Sequence, residues 1–144
     1  MMTGVVSAEQ AVLEANHRFY QVLSELDTEA MEQIWLHEPW VRCVHPGWQM
    51  LSGWDNVLES WRQIFSHTVS HQVEPSEVTV RLFGEIAWVV CLERITGRPE
   101  SGDLISFAQA TNLFAHTPSG WRMALHHASV VPVEMPPETS STVH

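Results

Sequence analysis

The chain of 144 residues contains no lysine, and its seven cations are all arginine. Against them stand 17 acidic residues, for a formal net charge of -10. Nucleic acids and anionic membranes bind clustered positive charge, so an acidic chain without a basic run argues against both as partners. Cysteine is scarce: Cys43 and Cys91 sit in separate apolar stretches, which points to buried reduced thiols rather than a disulfide framework. Aspartate is scarcer than glutamate, with only Asp27, Asp55 and Asp103, and none falls in an expected strand. No apolar run reaches the roughly 18 residues that a membrane span needs. Residues 1–6 lack the basic and long apolar regions of a signal peptide, so the expected location is the cytoplasm.

What remains is an ordinary globular composition, 44% apolar and 17% charged, enough for one domain with its own core. Residues 7–26 carry Ala11, Val12, Ala15, Phe19, Val22 and Leu23 at helical spacing, with Ser7 and Gln10 as a capping-box pattern. Asp27 is placed to cap a second helix, which Pro39 must stop by about His37. Ser52 is the expected cap of a third helix carrying Val57, Leu58, Trp61, Ile64 and Phe65. From there the period becomes two. Four strand patterns follow, joined by connections too short for parallel crossovers. The layout is α+β: three N-terminal helices against a curved antiparallel sheet. Residues 7–132 form the expected domain, and the Pro-, Ser- and Thr-rich residues 133–144 a flexible tail.

Between the second and third helices lies VRCVHPGW, residues 41–48, a short strand ending in a turn. This segment, the order of elements and the closing run GWRMALHHAS, residues 120–129, resemble the NTF2-like superfamily. The likeness is to its SnoaL-like members and to the association domain of calcium/calmodulin-dependent protein kinase II. The resemblance implies a cystatin-like cone with a pocket at its wide end and a homodimer, or larger oligomer, formed through the outer sheet face. Ketosteroid isomerase and SnoaL-type cyclases in this group do acid–base chemistry in the pocket. Their general base, a carboxylate before a proline, matches His45. Their oxyanion-binding tyrosine matches Phe19, and Tyr20 lies about 100° around the helix. Their protonated acid falls near Phe107 and Ala110. The arginines of the kinase association domain correspond to Glu93, Asn112 and Ala128, none of them cationic.

His45 is the first candidate for proton transfer, since imidazole titrates near neutrality. The bland alternative is a histidine bonded to backbone at a strand end. His126 and His127 must point to opposite faces of one strand, and the family register favours His127 inward. Glu93 and Asn112 are polar residues in apolar strands and need partners, structural or ligand. An adjacent Glu93 would raise the pKa of His45. Trp35, Trp48 and Trp54, with Trp40, gather near the expected pocket mouth, where indoles can hold a flat or apolar guest or simply fill space. Trp61 and Trp121 follow the core periodicity. No HxH or HExxH pattern supports a metal site, and no cofactor is implied. The expected function is a pocket for an apolar or aromatic small molecule. One alternative is a SnoaL- or isomerase-like enzyme with His45 as acid/base. The other is a pure oligomerisation module with an indole-filled cone.

Overall fold

The computed structural model describes residues 6–97 and 104–132. The expected tail at 133–144 lies outside them, as do residues 98–103 of the loop that Pro99 and the glycines predict over 97–103. Helix α1 runs Ala8–Glu25 and helix α2 Thr28–Ile34. Both starts are capped as the sequence predicts: Ser7 accepts from the Gln10 N–H and Asp27 from that of Ala30. Leu26 takes a left-handed conformation between them, φ 58°, and so turns the chain sharply without glycine. Helix α3, Trp54–His67, differs at its start. Ser52 is not its cap. The Ser52 backbone pairs as a strand with Arg42, so the cap position falls on Gly53, at φ 86° and with no side chain to offer.

The sheet has six strands: β1 Arg42–Val44, β2 Leu51–Ser52, β3 His71–Phe83, β4 Ile86–Gly97, β5 Leu104–Thr117 and β6 Gly120–Val131. Their order is β2-β1-β6-β5-β4-β3. The long strands pair antiparallel as expected, whereas β1 lies parallel to β6. That pairing brings the segment before His45 to the last strand, Cys43 beside His126. The edge strand β3 carries Pro75 and a bulge near Glu77, whose φ is 52°. Proline and a bulge suit an unpaired edge, because both spoil the ladder that another strand would join.

The core lies between the inner sheet face and α1. Phe19, Val12, Val22, Trp35, Met31, Val89, Phe114 and Met123 are fully buried there. Inner-face residues line up across strands: Val89, Asn112 and His126 form one row, continued by Cys43. Truncating Phe114 to Ala should cost about 3–5 kcal/mol of stability, the usual penalty for a fully packed phenyl ring, measurable as a lowered urea midpoint.

Candidate functional site

Between α3, β3, β4 and β6 the cone keeps a cavity of about 220 Å³. Leu23, Ile64, Val73, Ile95, Pro46, Trp48 and Trp61 make its apolar wall, and His45, His71, Glu93 and His126 its polar one. The volume is below the roughly 300 Å³ at the low end of drug-sized sites, so a guest must be compact.

The strand β1 and the Pro46-Gly47 turn deliver His45 to this wall. Its Nε2 lies 2.8 Å from Ser60 Oγ. The Ser60 hydroxyl already donates to the Val57 carbonyl at 2.6 Å, so His45 must donate through Nε2 and keep Nδ1 as a lone pair. Trp48 and Trp61 meet its ring edge to face, at 4.8 and 4.6 Å between centroids. Burial in this aromatic setting lowers the His45 pKa to about 4.

His126, not His127, is the inward histidine. Extending the alternation from Trp121 and Met123 puts His127 on the inner face. A bulge breaks it: Phe114 pairs with Met123 but Leu113 with Leu125, so one extra residue, Ala124, shifts the phase. Ala124, His126 and Ala128 are therefore buried, and His127 is exposed on the outer face.

His126 Nδ1 lies 2.7 Å from Asn112 Oδ1. The Asn112 amide nitrogen donates to Asn16 Oδ1 at 2.9 Å and to the Tyr20 hydroxyl at 3.1 Å. Its oxygen must then be an acceptor, His126 carries its proton on Nδ1, and Nε2 is bare. The Tyr20 hydroxyl donates onward to Glu93 Oε2 at 2.7 Å. Asn112 thus lies behind the cavity and orients two groups rather than lining the wall itself. Each link is buried, where hydrogen bonds are strong and orphaned groups costly.

Glu93 is 3% exposed. Burial raises its pKa to about 7, against the stabilising Tyr20 hydrogen bond. His126 is pushed down to about 3, by burial first and then by His45 and His127. The 4.0 Å approach of His126 Nε2 to Glu93 Oε2 is therefore a contact between neutral groups below neutrality, not an ion pair. Glu93 also does not raise the His45 pKa, as the sequence suggested it might from an adjacent position; desolvation dominates there. Nor does an arginine among the described residues pair with Glu93: Arg94 turns outward to Glu74 at 3.7 Å. Burial and the Glu93 charge push the Cys43 thiol up, and burial raises Cys91 to about 11, so neither is a ready nucleophile.

Of the expected indoles only Trp48 reaches the cavity. Trp35 is fully buried in the core and pairs its backbone with Met123. Trp54 stacks on His37, 4.4 Å apart and nearly parallel, beside a separate surface depression. The pattern of indoles near residues 41–48 was real, but α3 and β2 carry Trp54 to the other side. Three residues were missed. Trp61 both packs and lines the cavity. Tyr20 reaches the polar wall through its long side chain although Phe19 occupies the family position. His71, the first residue of β3, binds the Leu23 carbonyl through Nε2 at 2.8 Å and stands at the rim. Only its place at the strand start could have marked it.

A SnoaL-like domain family model matches residues 12–134. Among solved structures, a candidate dehydratase of the NTF2-like family from Streptomyces avermitilis is 34% identical, with a TM-score of 0.82 over 86% of this chain and 96% of that one. A candidate calcium/calmodulin-dependent protein kinase type II association domain from Thiobacillus denitrificans is 26% identical, with a TM-score of 0.74 over 82% and 93%. The F-box protein SKIP8 of Arabidopsis thaliana is 25% identical over 125 residues, which are 87% of this chain. The chain spans about half, 52%, of that relative's length. With the six-stranded curved sheet, the helices inside it and a family match over most of its length, this chain is a member of the SnoaL-like family in the NTF2-like superfamily.

Proposed function

We propose that the cavity takes a compact, largely apolar or aromatic organic molecule and that Glu93 moves a proton on it. The observation that carries this reading is the Glu93 carboxyl. It is buried in a cavity walled by indoles and aliphatic chains, bonded by Tyr20, and holds its proton to about pH 7. A group poised near neutrality serves as acid or base with little penalty, and strongly shifted groups gather at functional sites. His45 and His126, with bare nitrogens and low basicity, act as hydrogen-bond acceptors for the guest rather than as the base. The description of the Streptomyces relative as a dehydratase suits such chemistry, since loss of water needs one group to take a proton and another to give one.

A compact aryl ketone, 1-tetralone, tests this. Glu93 carboxylate would take a proton from the carbon beside the carbonyl, the C–H electron pair moving to the carbonyl oxygen as an enolate. Return of a deuteron from exchanged Glu93 would label the carbon. Deuterium uptake followed by NMR should be faster with the wild type than with Glu93→Gln by about 10²-fold or more. It should rise with pH through about 7, as Glu93 ionises. Equal rates for the two proteins would remove the proton-transfer role.

A second reading, self-association through the outer sheet face, has its own observation. Trp88, Leu113 and Leu125 form a row across three strands on that face, next to Val90, Thr111 and His127. All three apolar side chains of the row are only half-buried in the single chain. The likeness to a kinase association domain supports an assembly. Sedimentation should show a dimer at micromolar concentration that Trp88→Glu converts to monomer. A monomeric wild type would end this reading and leave the cavity proposal standing.

A further inference from the structure

Among the described residues, two side-chain nitrogens are both closed to water and without a partner, the indole nitrogens of Trp35 and Trp61. His126 Nε2 differs from them. It makes no hydrogen bond among the described residues, yet it is not one of the closed atoms, so solvent-sized space touches it. That space is the cavity, whose wall His126 joins. The tilt of the ring agrees. Nδ1 faces Asn112 behind the wall, and Nε2, on the other side of the ring, faces Glu93 Oε2 at 4.0 Å. Its chemical form is fixed as well. Asn112 spends its amide protons on Asn16 and Tyr20, so its oxygen takes the Nδ1 proton of His126 and Nε2 keeps a lone pair. With its pKa pushed down to about 3, chiefly by burial, the ring stays neutral and Nε2 stays an acceptor.

We infer that His126 Nε2 accepts a hydrogen bond from a hydroxyl group of the guest, so the cavity selects compact aryl alcohols over analogues of the same shape without the hydroxyl. This rests on the reading of the cavity as a small-molecule site and adds the polarity of the guest to it. Nε2 and Glu93 Oε2 are too far apart to bond each other, but one oxygen can lie about 2.8 Å from each. A guest hydroxyl there donates to the imidazole and accepts from the carboxyl of Glu93, which keeps its proton to about pH 7. Hydrogen or fluorine in its place leaves the imidazole lone pair unpaired out of water, which weakens binding. The other polar atoms of the wall do not replace this acceptor. His45 Nε2 and His71 Nε2 donate to Ser60 and to the Leu23 carbonyl, and Tyr20 occupies one oxygen of Glu93. The Trp61 N–H is closed, and the Trp48 N–H is a donor on a residue 40% exposed, at the solvent side of the cavity.

The test compares 2-naphthol with 2-fluoronaphthalene, which has the same rings, a substituent of similar size and no hydrogen to donate. Calorimetric titration below about pH 7, where Glu93 keeps its proton, gives the ratio of the two affinities. His126→Phe should lower that ratio about tenfold in favour of the fluoro compound. Any general damage from leaving Asn112 without its partner weakens both compounds alike and cancels in the ratio. In the wild type with 15N-labelled histidine, 2-naphthol should move the Nε2 signal of His126 upfield, as accepting a hydrogen bond does, and 2-fluoronaphthalene should not. The NMR measurement needs no folded variant, so it decides the matter even if His126→Phe folds badly. An unchanged ratio in the folded variant, or an unmoved Nε2 signal with bound 2-naphthol, would overturn the acceptor role and leave the cavity as a binding site. Failure of the wild type to bind either compound would overturn the cavity reading and this inference with it.

Discussion

Replacing Asn112 by leucine should destabilise the protein by at least about 3 kcal/mol, although leucine keeps the same branched outline. The side chain is fully buried and serves three partners at once: Asn16, Tyr20 and His126. Each partner left unpaired in the interior costs about 1–3 kcal/mol, and these costs are not simply additive. Leucine recovers part of the loss through apolar contact, so the expected figure stays near the lower end. Asn112→Asp distinguishes hydrogen bonding from shape. It keeps the acceptor for His126 but loses both donors and places a carboxylate in the core, which should draw a proton onto His126. Chemical denaturation gives the stability, and 15N shifts of labelled histidine give the protonation state. A loss below about 1 kcal/mol in Asn112→Leu would show that the network is not needed for the fold.

Stability should level off near pH 7 and fall toward acid by about 3 kcal/mol at pH 4. Three buried groups set this. His45 and His126 have folded pKa values of about 4 and about 3, below the ordinary 6.5. Their stabilising effect is fully present above 6.5 and is lost as pH falls toward the folded values, because only the unfolded chain takes up the protons. Glu93 works in the opposite sense. Its folded pKa of about 7 lies above the ordinary 4.5, so its contribution is complete below 4.5 and is lost as pH rises to 7. Between 4.5 and 6.5 the unfolded chain binds two protons on the histidines and the folded chain one on Glu93. The net effect favours the folded state as pH rises. Near pH 7 the half-ionised Glu93 of the folded chain and the last protons on the unfolded histidines balance, and the profile levels off. Urea midpoints measured across pH 4 to 8 should trace this curve. Glu93→Gln should steepen the acid limb. A flat profile would mean that the histidines are open to water in solution.

The main elements were legible because they depend on local pattern. The α1 and α2 caps are single side chains bonding the backbone three residues on, and the long strands follow the alternation. The inward turn of Glu93 and Asn112 follows from the same period of two. The site was harder, because it depends on breaks in the pattern. One residue, Ala124, exchanges the roles of His126 and His127, and no local sequence signal marks it. The entry of Tyr20 depends on the reach of its side chain to Glu93, on a strand more than seventy positions away. Trp35 is drawn into the core by its backbone pairing with Met123, and Trp54 follows the short β1–β2 pair, whose two-residue register is too brief to read from composition. Above all, the groups expected to titrate together are tuned by a shared dryness that only the packed cone creates.

The parallel docking of β1 on β6 has a consequence for the order in which the molecule assembles. Beyond its short neighbour β2, the first strand finds its partner on the last one, and that contact closes the longest loop in the sheet. Such closures come late, after hairpins have formed between chain neighbours. The three strand connections that build β3 to β6 are local, and the inner sheet face carrying Glu93, Asn112 and His126 can form with them. The imidazole of His45 arrives afterwards, carried by a segment held in place by three residue pairs. A folding intermediate would therefore hold a half-made cup, wet on one side, in which the carboxyl of Glu93 still titrates like any other. The dry setting that lifts the Glu93 pKa would then be completed in the final step of folding rather than during collapse.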